Sequence, residues 1–354
     1  MEREIPHFLQ SFLEKIALQS LSQYNTLQST EEGDGLIRKE IVIAKNDAGQ
    51  RLDKFLTKAY PKLPQAMLYK LIRKKDIRLN GKRCESSVHL SENDVLSLYL
   101  KEEFLESGKK EYEFLKAPKK LNILYEDENL LLLDKPPGLI VHPDETYHFD
   151  SLIARVQYYL YDKRDYDPEA ENSFAPALVN RIDRNTGGIV IAAKNAEALR
   201  ILNRKIKNRE LDKRYLCLVQ GRLKEKEGLL EGFLQKNEEK NQVHIFKKET
   251  DCSKTVLTKY RVLEEKQNCS LVEVQLLTGR THQIRAQFSH IGHPLLGDKK
   301  YGGKRSDAFP YQALYAYQLT FQFTEEDSGS LSYLDGKTVT AEHIWFLKEF
   351  EQMH

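Results

Sequence analysis

The chain has 354 residues, with 55 Lys and Arg against 53 Asp and Glu, and its 40% hydrophobic content is enough for two domains with an appendage. No apolar run approaches the roughly 18 residues of a membrane-spanning helix, and the first residues lack the basic start of a secretory signal. The four cysteines form no CxxC pair, so we expect no disulfide framework, no metal site and a reducing, cytoplasmic location.

The first predicted element is a helix over residues 5–21, where apolar side chains recur at helical spacing. Residues 25–35 are polar and are typical of a linker. We interpret residues 1–36 as a helix and linker appended to the body of the protein. A helix that binds a partner is the alternative. Because no partner is evident from the sequence, we expect a monomer.

A short strand near Ile41 and a helix beginning at Arg51 open the next segment. Within residues 70–83, seven basic residues stand against one acid, and Asn80-Gly81 predicts a hairpin turn. Such a compact basic unit suits RNA phosphates, although basic runs are more often solvated surface. Residues 50–100 also resemble the Alpha-L RNA-binding motif. We therefore predict an RNA-binding module over residues 37–105, whose candidate contacts are Arg51, Lys70, Arg73, Lys74 and Lys75.

Residues 106–354 are predicted to form a larger domain of the α+β class with a mixed, largely antiparallel sheet. Its predicted strands lie within 178–195 and over 214–219, 255–262 and 271–276. Helices are predicted at 151–160, capped by Asp150, and from 196 to about 209, capped by Asn195. The positions predicted to be exposed on the second of these helices are basic: Arg200, Arg204, Lys205, Lys207 and Arg209. A third helix is predicted over 281–290.

The first candidate for chemistry is Asp183, which lies on a turn between two apolar strand patterns. Arg181 and Arg184 flank it. A turn aspartate neutralised by one of these arginines is the structural alternative, because ion pairs in folded proteins also place acids beside arginines.

Two further segments are candidates. A Thr-Gly turn at 278–279 leads into a helix that carries Arg280, His282 and Arg285, an arrangement that can hold an anion or a carboxylate. A capped helix with a solvated basic face is the alternative. Tyr215 lies in a predicted strand, where a tyrosine is usually a core residue unless it lines a pocket.

Together, these segments resemble the RluA-type family of pseudouridine synthases, which modify large-subunit ribosomal RNA and some transfer RNA. The resemblance spans residues 121–323 and rests on six segments in order: ILYEDENLLLLDKPPGLIVHP, NRIDRNTGG, KRYLCLVQG, TGRTHQIR, GHPLLGDKKYGG and ALYAYQLTF. Three positions depart from the usual family residues, at the edge of the aspartate motif: Asn180 for His, Ile182 for Leu and Gly187 for Ser.

The resemblance implies a role for each matched residue. Asp183 is the catalytic aspartate, as either nucleophile or base toward the ribose. Tyr215 stacks on the target base, Arg285 ion-pairs with the aspartate, and Arg181 helps to hold the RNA with the base extruded. Arg280 and His282 are expected to contact RNA. The reaction is an isomerisation, so no cofactor and no metal are expected.

The expected substrate is a structured RNA, ribosomal RNA first and transfer RNA as the alternative. One rival hypothesis is a non-catalytic RNA-binding factor with a dead site. Retention of Asp183, Tyr215 and Arg285 together argues against it. Another rival is a different nucleic-acid enzyme, but neither paired metal-binding carboxylates nor a nucleophilic lysine motif is evident in the sequence.

Overall fold

A computed structural model gives the structure of the chain as two units. It describes residues 31–32, 36–105, 111–144, 149–237, 239, 242–266, 268–324 and 328–353. The first unit contains the described residues up to Glu111 together with Asp167–Ala175, and the second contains Tyr112–Tyr166 and the residues from Pro176 onward. The predicted helix over 5–21 and most of the predicted linker lie outside the described residues. Among the helices described, none is long and apolar enough to cross a membrane.

The first unit is an antiparallel sheet with two main helices. Its elements are β1 Glu31–Glu32, β2 Leu36–Val42, α1 Leu52–Ala59, α2 Gln65–Lys74, β3 Ile77–Leu79, β4 Lys82–Arg83, β5 Val95–Lys101 and α3 Glu102–Leu105. The strand order is β1-β2-β5-β3-β4. Asn80 and Gly81 have φ of 51° and 73°, as a two-residue hairpin between β3 and β4 requires. The predicted hairpin is therefore confirmed.

Hydrophobic residues at helical spacing hold this unit together. Leu52, Phe55 and Leu56 of α1 are fully buried, and Leu68 and Ile72 of α2 face the same core. This spacing leaves the basic residues of α2 on its outer face.

The segment Asp167–Ala175 belongs to the first unit through hydrogen bonds to the turn before α1. The fully buried Asp47 carboxylate accepts from Ser173 Oγ at 2.6 Å and from Asn172 Nδ2 at 2.9 Å. Gln50 Nε2 donates to Ser173 Oγ at 2.7 Å. The buried carboxylate thus has polar partners, as a buried charge requires.

The second unit is built on one large sheet. Its strands are β6 Ile123–Glu126, β7 Leu130–Lys135, β8 Ala177–Leu178, β9 Gly187–Ala193, β10 Leu211–Gln220, β11 Glu227–Asn237, β12 Gln242–Phe246, β13 Lys254–Glu265, β14 Cys269–Leu276, β15 Leu314–Phe321 and β16 Thr338–Thr340. Its helices are α4 Leu152–Lys163, α5 Ala196–Lys207, α6 Gln283–His290 and α7 Leu347–Glu351, with 3₁₀ turns at Glu113–Lys116, Lys299–Tyr301 and Gly329–Leu334.

The main path of this sheet runs β12-β11-β13-β14-β10-β15-β9-β7-β6. Among the strand pairs that the structure describes, only β9 with β15 is parallel, so the predicted α+β class with a largely antiparallel sheet is confirmed. Alternate residues of β7 and β9 enter hydrophobic clusters on opposite faces of the sheet, and both strands are therefore almost wholly apolar.

Helices cover both faces of this sheet. Asn195 caps α5 as predicted, accepting from Ala198 N at 2.8 Å. The predicted cap of α4 is wrong: Ser151 accepts from Ala154 N, while Asp150 instead pairs with Arg155. Lys205 was expected on the exposed basic side of α5.

The structure corrects that expectation too. Lys205 is fully buried and pairs with the Glu210 carboxylate at 2.6 Å. It follows the apolar spacing of α5 inward because a buried acid receives its charge.

Candidate active site

The Asp183 turn joins β8 to β9. Thr186 N donates to Asp183 O at 3.0 Å and closes the turn. The neighbouring Ile182 side chain is buried in the core, whereas the Asp183 side chain keeps 24% of its surface exposed. Ile182 therefore packs the turn into the core, and the next residue, Asp183, directs its carboxylate into a cavity.

A buried lysine hydrogen-bonds to the backbone of this turn. Lys135 ends β7 and is fully buried, and its Nζ donates to three backbone carbonyls, Pro136 O, Leu139 O and Arg184 O, at 2.8–3.0 Å. Burial lowers the pKa of Lys135 to about 7, and the nearby Asp183 charge opposes that shift. Three acceptors match the three N–H bonds of an ammonium group. Lys135 therefore ties the loop after β7 to the aspartate turn.

Arg285 connects two carboxylates. Its Nη1 lies 2.8 Å from Asp183 Oδ2, while its Nε and Nη2 lie 2.6 and 2.8 Å from the two carboxylate oxygens of Asp298. Arg285 is 5% exposed and Asp298 is 1% exposed. Hydrogen bonds to the two aspartates raise the pKa of Arg285 against the effect of its burial. Asp298 thus fixes the guanidinium plane so that one N–H group points at Asp183.

His282 also faces Asp183. Its Nε2 lies 3.8 Å from Asp183 Oδ2, and its Nδ1 lies 2.9 Å from Tyr301 Oη. Because Val243 N already donates to Tyr301 Oη at 2.9 Å, the tyrosine hydroxyl is free to donate to Nδ1. With the hydroxyl donating to Nδ1, the histidine proton lies on Nε2, on the side of the carboxylate. Burial lowers the pKa of His282 to about 4, so the ring is neutral near pH 7.

A glutamine holds the turn that leads into α6. Gln283 Oε1 accepts from Thr278 Oγ1 at 2.9 Å and from Arg280 N at 3.1 Å, and its Nε2 donates to Thr258 Oγ1 at 2.8 Å. His282 takes the left-handed conformation, with φ of 54°, at the N-cap of this helix. These bonds place His282 and Arg285 on the side of the helix that faces Asp183.

Two cavities flank Asp183. The smaller, about 370 Å³, is lined by Asp183, Tyr215 and Arg285, with Lys213 and Arg280 also on its walls. Tyr215 is 7% exposed, and burial, with the Asp183 charge, raises its pKa. Tyr215 thus belongs to a hydrophobic core cluster and also forms part of the pocket wall.

The larger cavity, about 660 Å³, is a basic cleft. Its cationic lining residues are Arg181, Arg184, Arg285, Lys299, Lys300 and Arg305. Such a concentration of positive charge favours a polyanion beside the carboxylate. The two cavities together suit a nucleotide whose phosphates lie in the cleft and whose base enters the smaller pocket.

Comparison with known proteins decides the family. The family model described as RNA pseudouridylate synthase matches residues 129–290, and the S4 domain model matches residues 50–96. A ribosomal large subunit pseudouridine synthase C of Vibrio vulnificus is 34% identical over 81% of this chain and 90% of its own. The chain belongs to the RluA-type RNA pseudouridine synthase family. An uncharacterized RNA pseudouridine synthase of Aquifex aeolicus is 35% identical over 73% of this chain and 78% of its own.

A solved structure supports the fold of the synthase. Human RNA pseudouridylate synthase domain containing 4 superposes with a TM-score of 0.51, covering 65% of this chain and 92% of that one at 19% identity. The S4 match covers the segment that resembles the Alpha-L motif, so the expected family, fold class and RNA-binding module are confirmed.

The structure brings the predicted residues of the synthase domain to one place. Arg285 and His282 both approach the Asp183 carboxylate, at 2.8 and 3.8 Å, and Arg181 lies exposed on the wall of both cavities. Arg280 is exposed at the rim of the smaller cavity.

The first unit carries the other predicted RNA-binding residues. Lys70, Arg73, Lys74 and Lys75 are exposed at the end of α2. Arg51 differs from them, because its guanidinium makes two bonds to the Asp53 carboxylate, at 2.7 and 3.1 Å. An RNA phosphate at Arg51 would therefore compete with an existing ion pair.

The departures from the usual motif have local explanations. Asn180 occupies its side chain with the backbone of β9, accepting from Ile191 N at 2.8 Å and donating to Ile189 O at 3.3 Å. At Gly187, a Cβ atom would lie 2.3 Å from the Tyr315 ring, so no serine fits unless that ring moves. Both changes serve the packing of the turn.

Sequence reasoning missed Lys135, Asp298 and Tyr301 as parts of the site. All three lie inside the segments that carry the family resemblance, DKPPG and GDKKYGG. The family resemblance marks these segments, but it does not assign a role to each of the three residues. The roles require the three-dimensional contacts, because Asp298 and Asp183 are far apart in the chain and meet only through Arg285.

Proposed function

We propose that this synthase converts uridine to pseudouridine in large-subunit ribosomal RNA, with Asp183 as the catalytic residue. The carrying observation is that the Asp183 carboxylate, held by Arg285 at 2.8 Å, opens onto a cavity whose wall includes Tyr215. The choice of RNA is supported by the name of the Vibrio vulnificus relative, ribosomal large subunit pseudouridine synthase C.

The reaction moves one bond and leaves the atom count unchanged. The bond between ribose C1′ and uracil N1 breaks, the base turns, and C5 bonds to C1′. C5 loses its proton and N1 gains one, so protons balance. Asp183 acts either as a nucleophile on the sugar or as a base toward it, and both roles need an ionised carboxylate. Arg285 supplies the counter-charge for this partly buried carboxylate, with Nη1 at 2.8 Å from Asp183 Oδ2.

The target base must leave its stack to reach Asp183, at a cost of about a few kcal/mol. Stacking on Tyr215 and ionic contacts with the phosphates offset that cost. Within the synthase domain we assign those contacts to Arg181 and Arg280 and to the basic cleft. His282 Nε2 lies 3.8 Å from Asp183 Oδ2, so we place His282 beside the catalytic carboxylate rather than at a phosphate.

The S4 unit contributes affinity in this proposal. The basic residues at the end of α2 are exposed and compact, as a phosphate-binding surface requires. We assign the RNA contacts of this unit to Lys70, Arg73, Lys74 and Lys75, with Arg51 in a lesser role. We further propose that the enzyme works as a monomer in the cytoplasm. The four cysteines, all unpaired and three of them buried, support a reducing location.

The test uses transcribed ribosomal RNA and, in parallel, transcribed transfer RNA, each incubated with the purified chain and no other addition. Base-specific mapping then locates pseudouridine. We expect conversion at discrete positions of large-subunit RNA, none with Asp183→Asn, and full conversion with the matched control Asp251→Asn, which changes an exposed turn. Conversion of transfer RNA alone would overturn the choice of substrate. No conversion of either RNA, with intact RNA binding, would favour a binding factor instead.

A further inference from the structure

Lys213 is a cation in the base pocket to which the reaction assigned above gives no role. It lies on β10 two residues before Tyr215, so both side chains project from the same face of the strand. Both line the smaller cavity together with Asp183. The Lys213 Nζ atom lies about one van der Waals contact from Gly279, 4.0 Å from the position a Cβ would take there.

No residue that the structure describes gives Lys213 a hydrogen bond or an ion pair. The two fully buried lysines contrast with it: Lys135 has three carbonyl acceptors, and Lys205 has Glu210. Lys213 is half-buried, and burial alone lowers its pKa. A desolvated cation without a partner lowers the stability of the fold, so its presence in the pocket points to an acceptor that arrives with the substrate.

We propose that Lys213 binds the flipped uracil, donating from its ammonium group to a carbonyl oxygen of the ring. The inference rests on the proposed function. When the C1′–N1 bond breaks, its electron pair remains on the base, and the negative charge spreads onto the carbonyl oxygens. A cation at one of these oxygens stabilises the departing base more strongly than the intact nucleotide, which is the condition for accelerating the reaction.

The geometry separates this role from that of the other cations. Three N–H groups of Arg285 are already bonded to Asp183 and Asp298, so its charge is committed to these two carboxylates. Lys213 lies on the same strand as Tyr215 and lines the same pocket, so it is the cation placed beside the ring on which the base would stack.

The first test compares Lys213→Met with Lys259→Met, the same change at an exposed strand position. At saturating enzyme, the single-turnover conversion of ribosomal RNA should fall about 10- to 100-fold in Lys213→Met, the range for losing one hydrogen bond to a charged group. RNA affinity and its salt dependence should stay unchanged, because the contact is to a base. The unfolding free energy should not fall, because an unpaired desolvated charge is removed.

The second test varies the base. An RNA hairpin is synthesised with uridine, 2-thiouridine or 4-thiouridine at the modified position, since sulfur accepts hydrogen bonds more weakly than oxygen. The wild-type rate should fall with one of the two thiouridines, and Lys213→Met should be insensitive to that same replacement. The sensitive position then identifies the oxygen that Lys213 contacts.

Several results would overturn the inference. An unchanged rate in Lys213→Met removes the role in catalysis, and equal thiouridine effects in both enzymes remove the contact with the base. A weaker affinity with a flatter salt slope would move Lys213 to a phosphate. A large loss of stability would make it structural. If wild-type enzyme converts no uridine while Lys259→Met behaves identically, the proposed function itself fails and this inference fails with it.

Discussion

Asp183 and Asp298 share one arginine, and replacing each by asparagine should separate stability from catalysis. Asp298 is 1% exposed and holds Arg285 by two short bonds, at 2.6 and 2.8 Å. The Asp183 side chain is 24% exposed and makes one bond, at 2.8 Å. Asparagine preserves the shape at both positions and removes the charge.

The expected stability losses follow from these contacts. Breaking a buried ion pair costs about 3–5 kcal/mol, and Asp298→Asn should lie near the lower bound because one acceptor oxygen remains. Asp183→Asn loses one charge-assisted bond in a partly exposed site, so about 1 kcal/mol is expected. The chain has a single tryptophan, Trp345, which packs against Phe346 and Phe309 in the second unit. Urea unfolding followed by its fluorescence therefore reports on the unit that holds both aspartates.

The two replacements should affect catalysis in the opposite order, with the greater loss of activity in Asp183→Asn. Asp183→Asn should give no detectable pseudouridine, because neither a nucleophilic nor a basic oxygen remains. Asp298→Asn keeps the carboxylate but frees Arg285 to rotate, and the single-turnover rate should fall about 10- to 100-fold, as expected when a site group is misplaced by about 1 Å. A greater stability loss in Asp183→Asn, or full activity in Asp298→Asn, would refute the division of labour between the two aspartates.

Three further predictions follow from other contacts. Replacing the basic residues 73–75 by alanine should reduce the slope of log affinity against log salt by about 2, at about 0.7–0.9 per phosphate contact, without changing the saturated single-turnover rate; an altered rate would show that the patch does more than bind. Because the pKa of His282 is about 4 in the fold and about 6.5 when unfolded, stability should fall as pH drops between those values, and it should fall less steeply in His282→Asn; equal slopes in urea titrations would contradict this assignment. Gly187→Ser should destabilise the second unit by about 1–3 kcal/mol in the same fluorescence assay, and the same serine should cost less when introduced into Tyr315→Leu, which itself loses a hydrogen bond to Asp134; a neutral serine would disprove the steric explanation.

Local pattern was sufficient for much of the fold. The spacing in α5 predicted a helix and its Asn195 cap, and Asn80-Gly81 predicted the hairpin, because caps and tight turns depend on a few adjacent residues. The cap of α4 was misplaced by one residue, since Asp150 and Ser151 are both good caps and the pairing of Asp150 with Arg155 decides between them. Lys205 was misplaced because its partner Glu210 lies beyond the helix.

The residues of the candidate site also form two groups: those that the sequence motifs predicted, and those that only the structure identified. The ordered motifs of the sequence determined the family, and through it the catalytic aspartate, the pocket tyrosine and the pairing arginine as predictions. Chain position alone assigned no function to Lys135, Asp298, Tyr301 or Lys213.

The sequence by itself determined which residue types are present and which short segments fold locally, because those depend on neighbours in the chain. Only the tertiary structure decided which charges are paired. Asp298 is linked to Asp183 through Arg285, and Tyr301 hydrogen-bonds to His282, across segments that the sheet and α6 bring together. A charge interacts according to distance and burial, and neither quantity is contained in the order of residues along the chain.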